Sequence, residues 1–288
     1  MYIPYLEQPS LQLGPVTIHA FGVIVAGSVL VGLEIARRRF AAMALDPVVG
    51  QALAWWTLVG GFVGAHLFSV LLYFPEKVAR NPLVLFKFWE DISSFGGMLG
   101  GLIGMGAYLL RRRNIPSHTR WQYVDAVALA FPFALAVGRI ACTLAHDHPG
   151  TVTSFPLAVS LATGPARAHI AHVYASAGRL AELPPDPALA RLGFHDLGWY
   201  ELLVLGLVIA PVTWWLGRAR RRPGAFVPSF VLLYMPVRFA LDFLRVADAR
   251  YAGLTPAQWA AGSMLLALPL AWRRWWVPSL ASKDQLRS

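Results

Sequence analysis

Charge is scarce in this sequence: Asp, Glu, Lys and Arg make up 14% of its 288 residues, where soluble domains devote about a quarter. That excludes an ordinary water-facing surface, and with it a disordered chain or a coiled coil. Cysteine is scarcer still. Cys142 stands alone, so no intramolecular disulfide, CxxC pair or Cys/His zinc spacing is available. Lysine is nearly absent, which leaves arginine to carry a net charge of +10. No basic segment followed by a short apolar core and a small-residue cleavage site opens the chain, so the first apolar stretch is expected to stay as a membrane span.

Apolar residues fill the space that charge leaves: 57% are hydrophobic and mean hydropathy is +0.52. A helix needs about 20 apolar residues to cross a hydrocarbon core. Seven stretches qualify, approximately His19 to Ala36, Ala52 to Tyr73, Ile92 to Leu110, Tyr123 to Leu144, Leu197 to Leu216, Ala225 to Leu244 and Pro256 to Trp272. The pattern predicts an all-α polytopic membrane protein of about seven spans, one integral domain over residues 1–288. Pro132 and Pro236 are expected to kink the fourth and sixth spans. Basic clusters follow the odd-numbered spans: Arg37 to Arg39, Arg111 to Arg113, Arg218 with Arg220 to Arg222, and Arg273 with Arg274. Seven crossings put all four on one face, which the positive-inside rule makes cytoplasmic. The amino terminus is therefore expected outside and the carboxyl terminus inside. On the outer side, the segment containing Phe86, Phe88, Trp89, Lys87 and Glu90 suits the interfacial zone. Residues 146–196 form a long outer loop, in which Ile170, Val173, Tyr174, Ala177 and Leu180 recur at helical spacing. This loop is either an amphipathic arm on the outer leaflet or an ordinary covering segment.

Ionisable groups inside spans cost several kcal/mol on most scales and are kept for a use. Arg139 in the fourth span and Arg238 and Asp242 in the sixth are such groups, with Arg245 and Asp248 at the outer end of the sixth. Arg238, Asp242 and Arg245 share one helix face. Asp242 either neutralises Arg238 and fixes packing, or orients one arginine while the others receive an anion. Guanidinium suits that second role because it stays charged and binds phosphate oxygens in pairs; the anion at this depth is a phospholipid head group. Gly96 and Gly97, opening the third span, either permit close helix approach or expose N–H groups to the same anion.

These residues resemble a family. Leu13-Gly14-Pro15 leads to Phe21-Gly22, and Gly60-Gly61 precedes Gly64-Ala65. Ser94-Phe95-Gly96-Gly97-Met98-Leu99-Gly100-Gly101 is similar to the Ser-Phe-His-Gly-Gly signature of prolipoprotein diacylglyceryl transferase, the bacterial inner-membrane enzyme that starts lipoprotein maturation. Gly138-Arg139-Ile140 and Gly150 resemble its Gly-Arg-Ile-Gly-Asn stretch, and Tyr200-Glu201 its Leu-Tyr-Glu motif. Arg222-Pro223-Gly224, Tyr234, Arg238-Phe239, Asp242-Phe243, Arg245, Asp248, Leu254-Thr255 and Gln258 follow its last third. The chain departs where Phe95 stands for the family's histidine, Phe21 for a tyrosine, Cys142 for an asparagine, and Asp147 and Asp242 for glutamates.

The resemblance implies transfer of the diacylglyceryl group from phosphatidylglycerol to the lipobox cysteine thiol of a prolipoprotein signal peptide, with no cofactor, metal or nucleic acid. Fixed cations lower the barrier as the leaving phosphate gains charge, which assigns Arg139 and Arg238 to catalysis. Gly96, Gly97, Gly150, Tyr200, Glu201, Tyr234, Asp242 and Arg245 are then substrate-binding. An unperturbed thiol, with a pKa of about 8.5, needs a base or a positive field. His146 or His148 is expected to supply it, oriented by Asp147; the other reading makes them loop polar residues. Cys142 is expected to be a small packed residue rather than a nucleophile. The competing function is a homologue that binds anionic phospholipid without transfer. A transporter would place polar residues through the depth of several spans or show inverted repeats, and neither is visible.

Overall fold

The structure, a computed structural model, describes residues 2–14, 16–88, 92–218 and 223–276. Expectations placed on Pro15, Trp89, Glu90 and Arg220 to Arg222 lie outside the described residues. The chain enters through a hairpin of β1 (Ser10–Leu13) and β2 (Val16–His19), turned at Gly14 with φ of 60°. Helices α1 (Ala20–Ala42) and α2 (Pro47–Leu72) follow, then short α3 (Pro75–Arg80), α4 (Ser94–Arg111) and α5 (Ser117–Ala145). Strands β3 (Pro149–Thr153) and β4 (Val159–Ser160), helices α6 (Gly164–Ser176) and α7 (Asp186–Leu189), and strand β5 (Gly193–Asp196) form a small unit at one end. Helix α8 (Leu197–Val204) continues through a π turn at Leu205–Ile209 into α9 (Ala210–Arg218), and α10 (Phe226–Leu241) and α11 (Pro256–Trp276) close the bundle.

The chain is an all-α polytopic membrane protein. Ala20–Ala42, Pro47–Leu72, Ser117–Ala145, Leu197–Arg218 and Phe226–Leu244 are long and apolar enough to cross a membrane. Among the described residues α4 and α11 fall outside that set, so the count of seven stays an expectation. The α4 sequence SFGGMLGGLIGMGAYLLR explains why: its glycines dilute hydropathy while serving packing. Helices α2 and α4 meet backbone to backbone, as the small-residue spacing predicted. A Cβ placed on Gly100 would lie 2.2 Å from the Gly60 carbonyl oxygen, and one on Gly60 2.5 Å from that of Gly100.

Three apolar cores order the molecule. One joins Phe40, Leu53, Tyr108 and Tyr123 at the arginine-rich end. A second joins Phe95, Leu205, Phe230, Met235 and Ala257 in the interior. The third joins Val159, Leu161, Ile170, Tyr174, Phe194 and Val246 in the end unit. There the strands align in the order β3-β5-β4, antiparallel, and Ile3 pairs with Val159 at the free edge. The expected amphipathic helix exists as α6, but Ile170 and Tyr174 are buried in this core. Leaflet contact is thus not what its apolar face serves; the sheet covers it. Short strands interrupted by polar residues carried no clear two-residue periodicity, which is why the sequence read as a loop.

Asp125 sets the depth of the interior charges. Its carboxylate accepts the Gly224 N–H at 2.7 Å and the Phe226 N–H at 3.0 Å, tying α5 to the start of α10. Both helices run from this clamp toward the sheet. At 1.5 Å per residue Arg139 lies about 21 Å along α5 and Arg238 about 18 Å along α10.

Gly100→Val is expected to destabilise by about 1–3 kcal/mol, the usual cost of overpacking, and to lower the unfolding temperature in detergent. Gly106→Ala, where an added Cβ meets nothing within 4 Å, is the comparison and is expected to leave that temperature unchanged or slightly higher.

Candidate active site

One carboxylate organises the interior charge. Glu201, on the first turns of α8, is fully buried. Its Oε2 lies 2.5 Å from Arg139 Nη2 of α5 and accepts the Tyr234 hydroxyl of α10 at 2.6 Å. Its Oε1 pairs with Arg238 Nη1 of α10. Arg238 Nη2 in turn reaches Asp242 Oδ1 at 3.0 Å, and Thr255 Oγ1 donates to Asp242 Oδ2 at 2.5 Å. Gln258 and Thr255 brace each other through their backbone N–H groups at the start of α11. Two guanidinium groups and two carboxylates thus form a neutral, buried array drawn from α5, α8 and α10, with α11 held behind it. Arg139 also donates to the Tyr234 hydroxyl at 3.2 Å, and weakly, at 3.5 Å, to Ser94 Oγ and Cys142 Sγ. Among the described residues its Nε–H is buried without a hydrogen-bond acceptor. A donor left this way is costly unless a ligand supplies the acceptor.

A second clamp holds the sheet end. Asp196 caps α8 by accepting the Trp199 N–H at 3.1 Å, and its other oxygen lies 2.6 Å from His146 Nδ1 at the end of α5. Because it binds both helix ends, Arg139 and Glu201 are brought to the same level. An Asp immediately before an apolar helical run is a recognisable cap, so this residue was findable in the sequence and was missed. His146 was expected as a base; its Nε2 faces the Leu6 carbonyl at 3.2 Å and its ring stacks on Tyr5. Both ring nitrogens are engaged away from the arginines, and the residue that orients it is Asp196, not Asp147.

Above the array lies a rim. Arg245 pairs with Asp248 at 3.0 Å, and its backbone bridges to Gly150 of β3. A Cβ on Gly150 would stand 2.9 Å from the Leu244 carbonyl oxygen, so only glycine lets the strand approach and position Arg245. A cavity of about 120 Å³ opens here, lined by Asp147, Pro149, Val173, Ser176, Arg245, Ala247 and Asp248. His148 Nδ1 donates to the Asp147 carbonyl at 2.8 Å, which leaves Nε2 with its lone pair. Burial and the positive charge of Arg245, Arg139 and Arg238 hold this imidazole well below its usual range, so it rests neutral, with a free lone pair but a weaker basicity than a solvated imidazole. One edge of the Asp147 carboxylate reaches solvent, with 34% of the side chain exposed. The protein around the rest desolvates it and pushes it up to about 6, against the pull of Arg139 and Arg245.

Of the residues singled out in the sequence, Arg139, Glu201, Tyr234, Arg238 and Asp242 converge, and Arg245, Gly150 and His148 border them. Gly96 and Gly97 do not serve as open donors: Ser93 accepts the Gly96 N–H at 3.3 Å through its Oγ and the Gly97 N–H at 2.9 Å through its carbonyl. Their smallness admits α2, since a Cβ on Gly96 would lie 2.5 Å from the Gly64 carbonyl oxygen. Tyr200 faces the sheet, its hydroxyl 2.8 Å from His195 Nδ1. Phe95 is buried against Phe68 in the interior core. Cys142, read as a packed residue rather than a nucleophile, is half-buried, with its Sγ 3.5 Å from Arg139 Nη1 and within 4.8 Å of an Asp147 carboxylate oxygen.

A sequence profile described as prolipoprotein diacylglyceryl transferase matches residues 8–273. Proteins named phosphatidylglycerol–prolipoprotein diacylglyceryl transferase are similar over nearly the whole chain. The one from Chromohalobacter salexigens is 29% identical over 93% of this chain and 90% of its own length. That from Xanthomonas campestris is 30% identical over 94% and 89%, and that from Coxiella burnetii 29% over 96% and 97%.

Glu201→Gln removes the charge that compensates two buried guanidinium groups, and breaking such a pair costs about 3–5 kcal/mol. Denaturation in detergent is expected to show a loss of that order, larger than for Asp248→Asn at the rim. Equal losses would contradict the central placement of Glu201.

Proposed function

The chain belongs to the prolipoprotein diacylglyceryl transferase family, and from that premise we propose that it moves the diacylglyceryl group of phosphatidylglycerol onto the lipobox cysteine thiol of a prolipoprotein, the first step of bacterial lipoprotein maturation. The supporting observation is the meeting of Arg139 and Arg238, from separate helices, on Glu201 beneath an open rim. The sheet end faces outside in this reading, with the amino terminus outside, the arginine clusters and carboxyl terminus cytoplasmic, and the bilayer that of the bacterial inner membrane.

The lipid phosphate sits between Arg245 and the unmatched Arg139 Nε–H. Glu201 and Asp242 hold the guanidinium groups rigid, so no reorganisation is needed as charge develops. The thiol sulfur attacks the diacylglycerol carbon that bears the phosphodiester. A C–S bond forms, the C–O bond breaks, and glycerol-1-phosphate leaves with the electron pair. The thiol proton passes to His148 Nε2, whose tautomer is set by the Asp147 carbonyl. The neutrality of the four-group array favours one further reading, a protein that binds anionic phospholipid without transferring it; the same experiment separates the two.

Expression in a cell depleted of its own diacylglyceryl transferase is expected to restore growth and lipoprotein modification, and Arg139→Ala and Arg238→Ala to abolish both. Lipid retention by the protein without rescue would establish the binding-only reading. In purified protein His148→Ala is expected to slow transfer by about 10²–10⁴-fold, the usual contribution of a positioned base. His146→Ala is expected to act on thermal stability instead. The Asp147 carboxylate, 3.5 Å from His148 Nδ1, supports the imidazolium that forms on proton uptake and gains its own proton as pH falls through about 6, so the wild-type rate is expected to decline below that pH, and Asp147→Asn to lack the inflection.

A further inference from the structure

Cys142 is not absorbed by the chemistry above, yet it is brought to the rim of the site. Its thiol stands 3.5 Å from Arg139 Nη1 on one side and faces the Asp147 carboxylate on the other. The Cys142 Sγ, an Asp147 carboxylate oxygen and a His148 ring nitrogen all lie within 4.8 Å of one another. A thiol, a carboxylate and an imidazole constitute a borderline-soft donor set, the kind that takes Zn²⁺ in preference to Mg²⁺ or Ca²⁺. Around one such ion, with bonds of about 2.0–2.3 Å, the donors stand roughly 3.5 Å apart. Side-chain rotation at a rim that is partly open to solvent closes the difference. Loss of the thiol proton leaves Cys142 and Asp147 with two negative charges for a divalent cation. Arg139, Arg238 and Arg245 weaken the hold on a cation here, and Glu201, Asp242 and Asp248, each paired with one or two of them, offset that charge. The cavity lined by Asp147, Arg245 and Asp248 opens beside one of the three donors, Asp147.

We infer that Cys142, Asp147 and His148 form a site for a divalent ion of the zinc class, and that its occupation halts lipid transfer. The second half rests on the proposed role of His148. An imidazole whose lone pair is bound to a metal cannot take a proton, and the ion itself stands where the substrate thiol must arrive. The centre is therefore regulatory: the metal-free protein is the one that transfers lipid.

The test uses Co²⁺ as a spectroscopic probe on the full-length protein in detergent, stripped of metal with a chelator. One equivalent is expected to produce visible tetrahedral bands and a thiolate-to-cobalt charge-transfer band, displaced by Zn²⁺. Cys142→Ser is expected to abolish the charge-transfer band and His148→Ala to weaken binding at least about tenfold. His172→Ala, at an exposed imidazole of α6, is expected to keep both. No charge-transfer band in folded protein, or one that survives Cys142→Ser, overturns the site. Undiminished transfer by the Zn²⁺-loaded protein overturns the regulatory half. A metal-free protein that binds Co²⁺ as described but never transfers lipid counts against the proposed function and leaves the metal site standing.

Discussion

The arrangement depends on one carboxylate shared by two guanidinium groups. A charge taken out of water is tolerated when it is paired and hydrogen-bonded, and Glu201 provides this for Arg139 and Arg238 together. Sharing imposes a geometry, because α5, α8 and α10 must each deliver a side chain to the same point. Two further carboxylates outside the array meet that demand. Asp125 ties α5 to the start of α10 near the arginine-rich end, and Asp196 ties the end of α5 to the start of α8 near the sheet. Helix rise does the rest, so that small errors at either clamp would pull the two guanidinium groups off their shared carboxylate.

Interior and rim divide the work. The interior array is neutral and hydrogen-bonded to Tyr234 and Thr255, which makes it a rigid template rather than a strong anion trap. The rim holds the groups that can change state: Asp147 near neutrality, a neutral His148, and Arg245 placed by Gly150. In the proposed reaction the lipid head group and the peptide thiol meet at this edge, while the buried charges hold still. Cys142 stands between these two regions, its Sγ 3.5 Å from Arg139 Nη1 and within 4.8 Å of an Asp147 carboxylate oxygen.

The membrane class and the main helices were legible because apolar length and charge scarcity are properties of the chain itself. Arg139, Arg238 and Asp242 were legible for the same reason: an ionisable group in an apolar run marks itself. Their partner was harder. Glu201 lies within a turn or so of the beginning of its helix, where a carboxylate is ordinary, and only its Tyr-Glu context drew attention to it. The sheet beyond α5 was not legible, since its strands are short, β3 and β5 pair residues up to 47 positions apart, and Ile3 joins its edge at Val159 from the far end of the chain. The glycines of α4 allowed two readings, and the partner helix decided between them by coming within contact of Gly96.

Sequence alone determined that the chain lives in a bilayer, which residues carry charge into it, and that such charge must find compensation, because hydrocarbon offers none. It did not determine the partners. Tertiary structure decided that Glu201 rather than Asp242 unites the arginines, that His146 is bound to Asp196 while His148 faces the rim, and that Cys142 meets Asp147. These are contacts between helices whose relative rotation and depth are set by packing, and no local pattern encodes that.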